Sequence, residues 1–154
     1  MTRLATVVLL VLLGSSVLAE SVKITLPASV AFAVTNVSVA TTGSPNPTPV
    51  SFSVLSVTAG HALRISVKAD ADFTPPSGTA IPASNVSWTT SAPSNGVGSN
   101  GTLSNAAYVQ LFQNTLGKNN GGVSVAWTLA APGTPLRAGN HLLTLRWKVE
   151  AITP

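Results

Sequence analysis

The residues LTLRWKVEA, at positions 143–151, alternate apolar and polar side chains along their whole length. Leu143, Leu145, Trp147, Val149 and Ala151 fall on one side of an extended chain, and the residues between them fall on the other. Because successive side chains of a β-strand point to opposite faces of the sheet, this period of two predicts a strand with one buried face. The stretch therefore favours a β-protein.

The same alternation recurs along the rest of the chain. It is found at residues 22–26, 30–34, 52–54, 63–70, 86–88 and 123–129. Residues 104–114 fit a short helix or a strand, and the strand is the preferred interpretation. Segments rich in Pro, Gly, Ser and Asn, which end strands and form turns, lie at 42–49, 59–60, 75–78, 91–101, 117–122 and 131–135. This spacing predicts an all-β fold, an antiparallel β-sandwich of Ig-like or jelly-roll type with about seven or eight strands.

Residues 1–19 have the composition of an export signal. Arg3 gives a positive start, Leu4 to Leu13 are apolar apart from Thr6, and small residues precede Ala19. An apolar run of about ten residues is too short to span a bilayer, which needs about twenty. We expect cleavage after Ala19, a single domain over residues 20–154, and a secreted or cell-envelope location.

Composition narrows the function classes. The chain has no cysteine, so it forms no disulfide or thiolate metal site, and no later apolar run is long enough to anchor it in a membrane after cleavage. Downstream of residue 19, seven basic residues stand against four acidic ones, a net charge of +3. The basic residues form no runs, which argues against nucleic-acid binding. This charge is compatible with an anionic wall polymer.

Residues for catalysis are scarce. His61 and His141 are the two histidines, each where a turn passes into a strand, and no serine lies in a Gly-x-Ser-x-Gly motif. Asp70 and Asp72 form the one acidic pair, for which a turn is preferred over a calcium site, since calcium takes six or more oxygen ligands. We therefore predict no catalytic residue, no metal ligand and no cofactor, and a protein that is not an enzyme.

The aromatic residues divide into two groups. Trp127 and Trp147 lie in the apolar register of their strands and are predicted to be in the core. Trp88, whose register is less clear, and Tyr108 are the candidates for contact with a ligand such as a sugar. Trp88 is the best single candidate for an exposed contact.

The C-terminal third resembles the WxL domains of bacterial cell surfaces, a family of exported β-rich domains with two Trp-x-Leu motifs. Trp127-Thr128-Leu129 matches the motif, and Trp147-Lys148-Val149 is a variant of it near the C-terminus. The first motif is followed by Pro132 and the second by Pro154. The second motif departs from the pattern at Val149, where leucine is usual. The resemblance implies a surface domain that is held non-covalently on wall polymer beside other surface proteins.

Two functions are compatible with these observations. The first is an exported, non-catalytic interaction protein that binds cell-wall polymer, a surface glycan or another surface protein. The alternative is a pilus-like or filament subunit that self-associates through sheet edges. In that case the strand of Val22, Ile24 and Leu26, which cleavage would leave at the new N-terminus, is the predicted assembly strand.

Overall fold

The structure is a computed structural model that describes residues 22–54, 57–76, 78–136 and 139–154, so the predicted export signal at residues 1–19 lies outside the described part. Ten strands lie within these ranges. They are β1 (Lys23–Thr25), β2 (Thr41–Thr42), β3 (Thr48–Ser53), β4 (Ala62–Ala69), β5 (Val86–Ser94), β6 (Gly96–Gly98), β7 (Gly101–Thr102), β8 (Val109–Asn114), β9 (Asn120–Leu129) and β10 (Leu145–Ile152). Helical geometry in these ranges is limited to one 3-10 turn, Ala83–Asn85, and no helix there is long and apolar enough to cross a membrane.

The strands form two antiparallel sheets that pack face to face. Sheet 1 has the order β1-β3-β9-β5-β7, and β2 continues the line of β3 along the same edge of β9. Sheet 2 has the order β10-β4-β8-β6. The predicted antiparallel β-sandwich is confirmed. The strand number is about ten rather than seven or eight. The additional strands β2, β6 and β7 are only two or three residues long, which is too short for an alternating pattern to show.

The core lies between the sheets and follows the alternation in the sequence. In β9, Val123, Val125, Trp127 and Leu129 are buried, while the residues between them are half-buried. In β4 the buried residues of the core cluster are Leu63, Ile65, Val67 and Ala69, which face sheet 1. The apolar faces of the two sheets therefore meet as a period of two requires.

The strand predicted at Val30–Val34 does not form, and only Ala31 pairs, with Ser44. In the register of β1 against β3, Thr25 lies opposite Ser51. If this register continued for two more residues, Pro27 would lie opposite Pro49. Neither proline has an N–H to donate, so the ladder between these two segments stops after Thr25. Val30, Phe32 and Val34 still pack against the core as half-buried side chains.

Residues 91–101, predicted to be a turn, are partly strand. Strand β5 continues to Ser94, and Asn95, with a φ of 49°, turns the chain into β6. The glycines here permit close approach as well as turning: a Cβ on Gly96 would lie 2.4 Å from the carbonyl oxygen of Gln113, and one on Gly101 would lie 2.5 Å from the Trp88 ring. In the ambiguous segment 104–114, the preferred strand is confirmed for residues 109–114, while residues 104–107 form a bend held by the Ser104 hydroxyl.

Strand β10 confirms the strand predicted from LTLRWKVEA. It pairs with β4 from Leu145 opposite Ala69 to Ile152 opposite Ala62. It starts two residues later than predicted, and the chain before it is linked to the 70–74 segment by the Leu142–Thr74 bridge. Among the described residues no strand pairs with the outer edge of β10.

Candidate ligand-binding surface

The carboxylates of the described chain are engaged in structural contacts. Asp72 accepts hydrogen bonds from the Ala83 N–H at 2.9 Å and from the Asn105 side-chain amide at 3.1 Å. It therefore ties three loops together rather than closing a local turn on its own backbone. Asp70 pairs with Arg146, and Glu150 lies between other cations of sheet 2. Within the described ranges, no three His, Asp or Glu residues are grouped to hold a metal ion.

Both histidines are half-buried and precede strands, as the sequence predicts: His61 comes directly before β4 and His141 a few residues before β10. The Nδ1 atom of His61 is 3.3 Å from the Ala59 carbonyl oxygen, in the turn before β4. His141 lies in the segment that leads to β10 and borders the groove described below.

The expectation that Trp88 is exposed is wrong. Its side chain is only 2% exposed, its Nε1 donates a hydrogen bond of 2.8 Å to the Ser99 carbonyl oxygen, and its ring lies 5.6 Å from that of Trp127. The register of β5 explains this burial, because Trp88 shares the inner face of the strand with buried Val86. That register was visible in the alternation of Val86 and Trp88.

The two Trp-x-Leu-like motifs supply core side chains, as predicted. Trp127 and Leu129 are buried, and Trp147 and Val149 are half-buried against the core. The rings of Trp127 and Trp147 meet edge to face at 6.4 Å and 89°, a favourable geometry for aromatic pairs. The half-burial of Trp147 and Val149 follows from their place on an edge strand.

Tyr108 is the described aromatic residue that is exposed rather than buried or half-buried, at 40%. It precedes β8 and lies over the outer face of sheet 2. The Nζ atoms of Lys68, on β4, and Lys148, on β10, lie 5.9 and 5.8 Å from the centre of its ring. Both ammonium groups are within the range of cation–π attraction, so the ring and the two cations form one cluster.

Other charged residues of β4 and β10 lie on the same face as this cluster. Residues directly opposite each other in neighbouring strands share a face of the sheet. Arg146 pairs with Lys68 in the sheet register, and Glu150 pairs with Arg64. We call this surface the Tyr108 face, and it consists of Arg64, Lys68, Asp70, Tyr108, Arg146, Lys148 and Glu150. It gathers four of the seven basic residues downstream of residue 19 and two of the four acidic ones.

The ion pairs on the Tyr108 face hold its cations without burying them. Lys148 lies 2.7 Å from Glu150, Arg64 lies 3.8 Å from the same carboxylate, and Arg146 bonds Asp70. The hydrogen bond and the charge of Asp70 raise the pKa of Arg146, so its guanidinium stays positive. Since the basic residues outnumber the acidic ones, the face is positive overall. The alternation in the sequence does not predict that these cations lie together, because only the pairing of β4 with β10 brings them onto one face.

An apolar groove of about 1110 Å³ opens where the two sheets separate. One wall is the segment that carries Val30 and Phe32, and the other is the start of β10 with Leu145 and Trp147. Trp127 lies at its base. The groove leaves Leu145 and Trp147, at the start of β10, partly open to solvent.

The predicted assembly strand lies at an edge of sheet 1, and its Leu26 also lines the groove. Lys23–Thr25 pair with β3, Val22 is 47% exposed, and Ile24 and Leu26 pack half-buried against the core. In the folded chain this segment is thus the edge strand of its own sheet 1. Its role in assembly stays a prediction.

Comparison of the chain with protein-family models, with curated proteins and with solved structures finds no match.

Proposed function

We propose that this chain is an exported, non-catalytic interaction protein of the cell envelope or the extracellular space, and that it binds an anionic wall polymer or surface glycan through the Tyr108 face. The observation that carries the proposal is the exposed Tyr108 ring with the ammonium groups of Lys68 and Lys148 within 6 Å of it. An aromatic surface and fixed cations are what a sugar polymer with negative groups would contact.

The chemistry of the face supports an anionic ligand over a neutral one. Arginine and lysine donate charge-assisted hydrogen bonds to carboxylates and phosphates, and these are about twice as strong as neutral ones. Tyrosine offers an apolar ring with little loss of conformational entropy on binding. Tyr108, Asp70 and Arg146 also line the apolar groove, so a polymer bound on the Tyr108 face would reach the edge of that groove.

The export part of the proposal rests on the sequence. The predicted signal at residues 1–19 and the resemblance to WxL domains support a location outside the membrane. The non-catalytic part is supported by the structural contacts of Asp70, Asp72 and Glu150. A mass measurement on the released protein tests cleavage, and we expect a chain that begins at Glu20.

Co-sedimentation of the chain from Glu20 to Pro154 with isolated cell walls and with anionic and neutral polysaccharides tests the proposed ligand. We expect retention on the anionic polymers that weakens with salt, since screening acts on exposed charges. The variants Y108A and K68Q remove the ring and one cation, and K118Q is the control with the same charge change in an exposed turn. The proposal is wrong if wild type is not retained, or if Y108A and K68Q bind as well as K118Q.

The alternative, a subunit that assembles by its N-terminal strand, is favoured by one observation. Strand β1 is held by only three residue pairs at the edge of sheet 1, so its transfer to another copy would disrupt little of the sandwich. Deletion of residues 20–26 tests it: oligomers that form at rising concentration should disappear. Unchanged oligomers in the deletion variant would exclude strand donation.

A further inference from the structure

The outer edge of β10 presents a regular row of backbone groups. The Asp70 N–H donates to the Thr144 carbonyl oxygen, so the backbone groups of Thr144 point towards β4 and its extension. Since these groups alternate along a strand, those of Arg146, Lys148 and Glu150 also point to β4. The groups of Leu145, Trp147, Val149 and Ala151 therefore point to the free edge.

We propose that two copies of this chain associate through these free edges, with β10 of one copy antiparallel to β10 of the other about a two-fold axis at Val149. The four-stranded sheets would join into one eight-stranded sheet. This inference goes beyond the proposed function and does not depend on it. It commits to a second copy as the occupant because the charges of β10 complement themselves.

Charge selects the register. With Val149 opposite Val149 of the second copy, Lys148 lies opposite Glu150 of the second copy, and Glu150 lies opposite its Lys148. Two ion pairs form by symmetry, and opposite charges directly across strands stabilise a sheet. The two Val149 residues lie opposite each other, and the backbone groups of each point to the free edge. The pair can therefore exchange two N–H···O bonds.

The neighbouring registers bring like charges together. An axis at Lys148 sets two lysines opposite each other, an axis at Trp147 sets Arg146 opposite Lys148, and an axis at Glu150 sets two carboxylates opposite each other. An axis between two residues would pair outward-pointing backbone groups with inward-pointing ones, which forms no ladder. The Val149 register avoids all of these conflicts.

Side-chain size on the inner face also fits the Val149 register. Trp147 lies opposite Ala151 of the second copy, so a large side chain meets a small one. Trp147 and Val149 are half-buried in the single chain, and Trp147 lines the apolar groove. A second strand along this edge would cover them further, and burial of apolar surface stabilises the pair.

Lysine on an edge strand usually opposes pairing with another chain. That effect requires the ammonium group to face an apolar surface or a like charge, whereas here Lys148 lies 2.7 Å from Glu150 of its own strand and would meet a second Glu150 across the axis. The edge therefore rejects strands without a matching carboxylate and accepts its own copy.

Mass measurement in solution at rising concentration tests the proposal on the chain from Glu20 to Pro154. We expect the mass to double for wild type. V149P removes an N–H that points to the free edge and spares the bonds to β4, so a folded monomer is expected. K148E and E150K place like charges across the axis, and each should stay monomeric, whereas K118E, the control with the same charge change as K148E, should dimerise as wild type does.

A mixture of K148E and E150K gives the sharpest result. Each variant repels itself, but in the mixed pair every carboxylate faces an ammonium group, so the mixture should dimerise although neither variant does alone. Circular dichroism and thermal unfolding of each variant establish that it is folded. The proposal is overturned if wild type is monomeric, if folded V149P dimerises like wild type, or if the mixture stays monomeric. Binding of an anionic polymer that is lost in Y108A but kept in V149P would separate the two functions.

Discussion

The indole Nε1 of Trp127 donates a hydrogen bond of 2.9 Å to the hydroxyl oxygen of Thr48, inside the core. Thr48 is 1% exposed and Trp127 is 2% exposed. The Thr48 hydroxyl in turn donates towards the Val125 carbonyl oxygen at 3.3 Å. One hydroxyl thus satisfies the buried indole N–H and links β3 to β9.

Replacement of Thr48 by valine keeps the shape of the side chain and removes the acceptor. The buried indole N–H is then left without its partner, so the free energy of unfolding should fall by about 1–3 kcal/mol. Urea unfolding measures the change. In a W127F background the same replacement should lower the free energy of unfolding by much less, because no indole N–H remains to lose its acceptor. Equal losses in the two backgrounds would contradict this role.

Asn114 should be the most sensitive polar residue at the end of β8. It is buried, its side-chain oxygen accepts the Leu63 N–H, and its amide donates to the Lys118 carbonyl oxygen at 2.6 Å. N114A should lower the free energy of unfolding by about 1–3 kcal/mol, because it leaves the buried Leu63 N–H without its acceptor.

N114D gives a pH test of the same site. Burial raises the pKa of the introduced carboxyl in the folded state, so its protonated form can donate to Lys118 at low pH. The stability loss should be smallest below about pH 4 and grow as the pH rises, since the unfolded carboxyl ionises near 3.9. A loss that does not change with pH would contradict the predicted hydrogen bonds.

Gly101 is required because the Trp88 ring lies against it. A Cβ at this position would be 2.5 Å from Cζ2 of Trp88. G101A should therefore lower the free energy of unfolding by about 1–3 kcal/mol through overpacking. T102A, at the exposed next residue, is the control and should change it by less than about 0.5 kcal/mol.

The three tryptophans should differ in their access to a polar quencher. Trp88 and Trp127 are buried, whereas Trp147 is half-buried beside the groove. Acrylamide should therefore quench mainly the emission of Trp147, and W147F should lose most of the quenched fraction. Quenching that persists unchanged in W147F would show that the groove does not expose this ring.

The sequence predicts the sandwich because period-two alternation survives wherever one strand face is buried. It works for β9 and β10, where nearly every second residue is apolar. It fails at Val30–Val34, where the alternation is present but the ladder with β3 has already ended at Thr25 and only Ala31 forms a bridge, with Ser44. Side-chain pattern reports burial, and backbone pairing also needs a donor on the facing strand.

The candidate surface was only partly predictable. Tyr108 was identified as a contact candidate, but its neighbours Lys68 and Lys148 are eighty residues apart in sequence and meet through the register of β4 with β10. Strand order cannot be read from a single alternation pattern. Trp88 shows the reverse error, because the polar residues beside it in sequence point away from the core that surrounds its ring.

The pairing of β4 with β10 also sets an order in time. Residues 62–69 are synthesised long before residues 145–152. One edge of β4 therefore stays unpaired until β10 has been synthesised. Pairings this distant along the chain slow folding, typically to milliseconds or seconds. Sheet 2 of a newly made chain therefore cannot be completed until the last strand has left the ribosome.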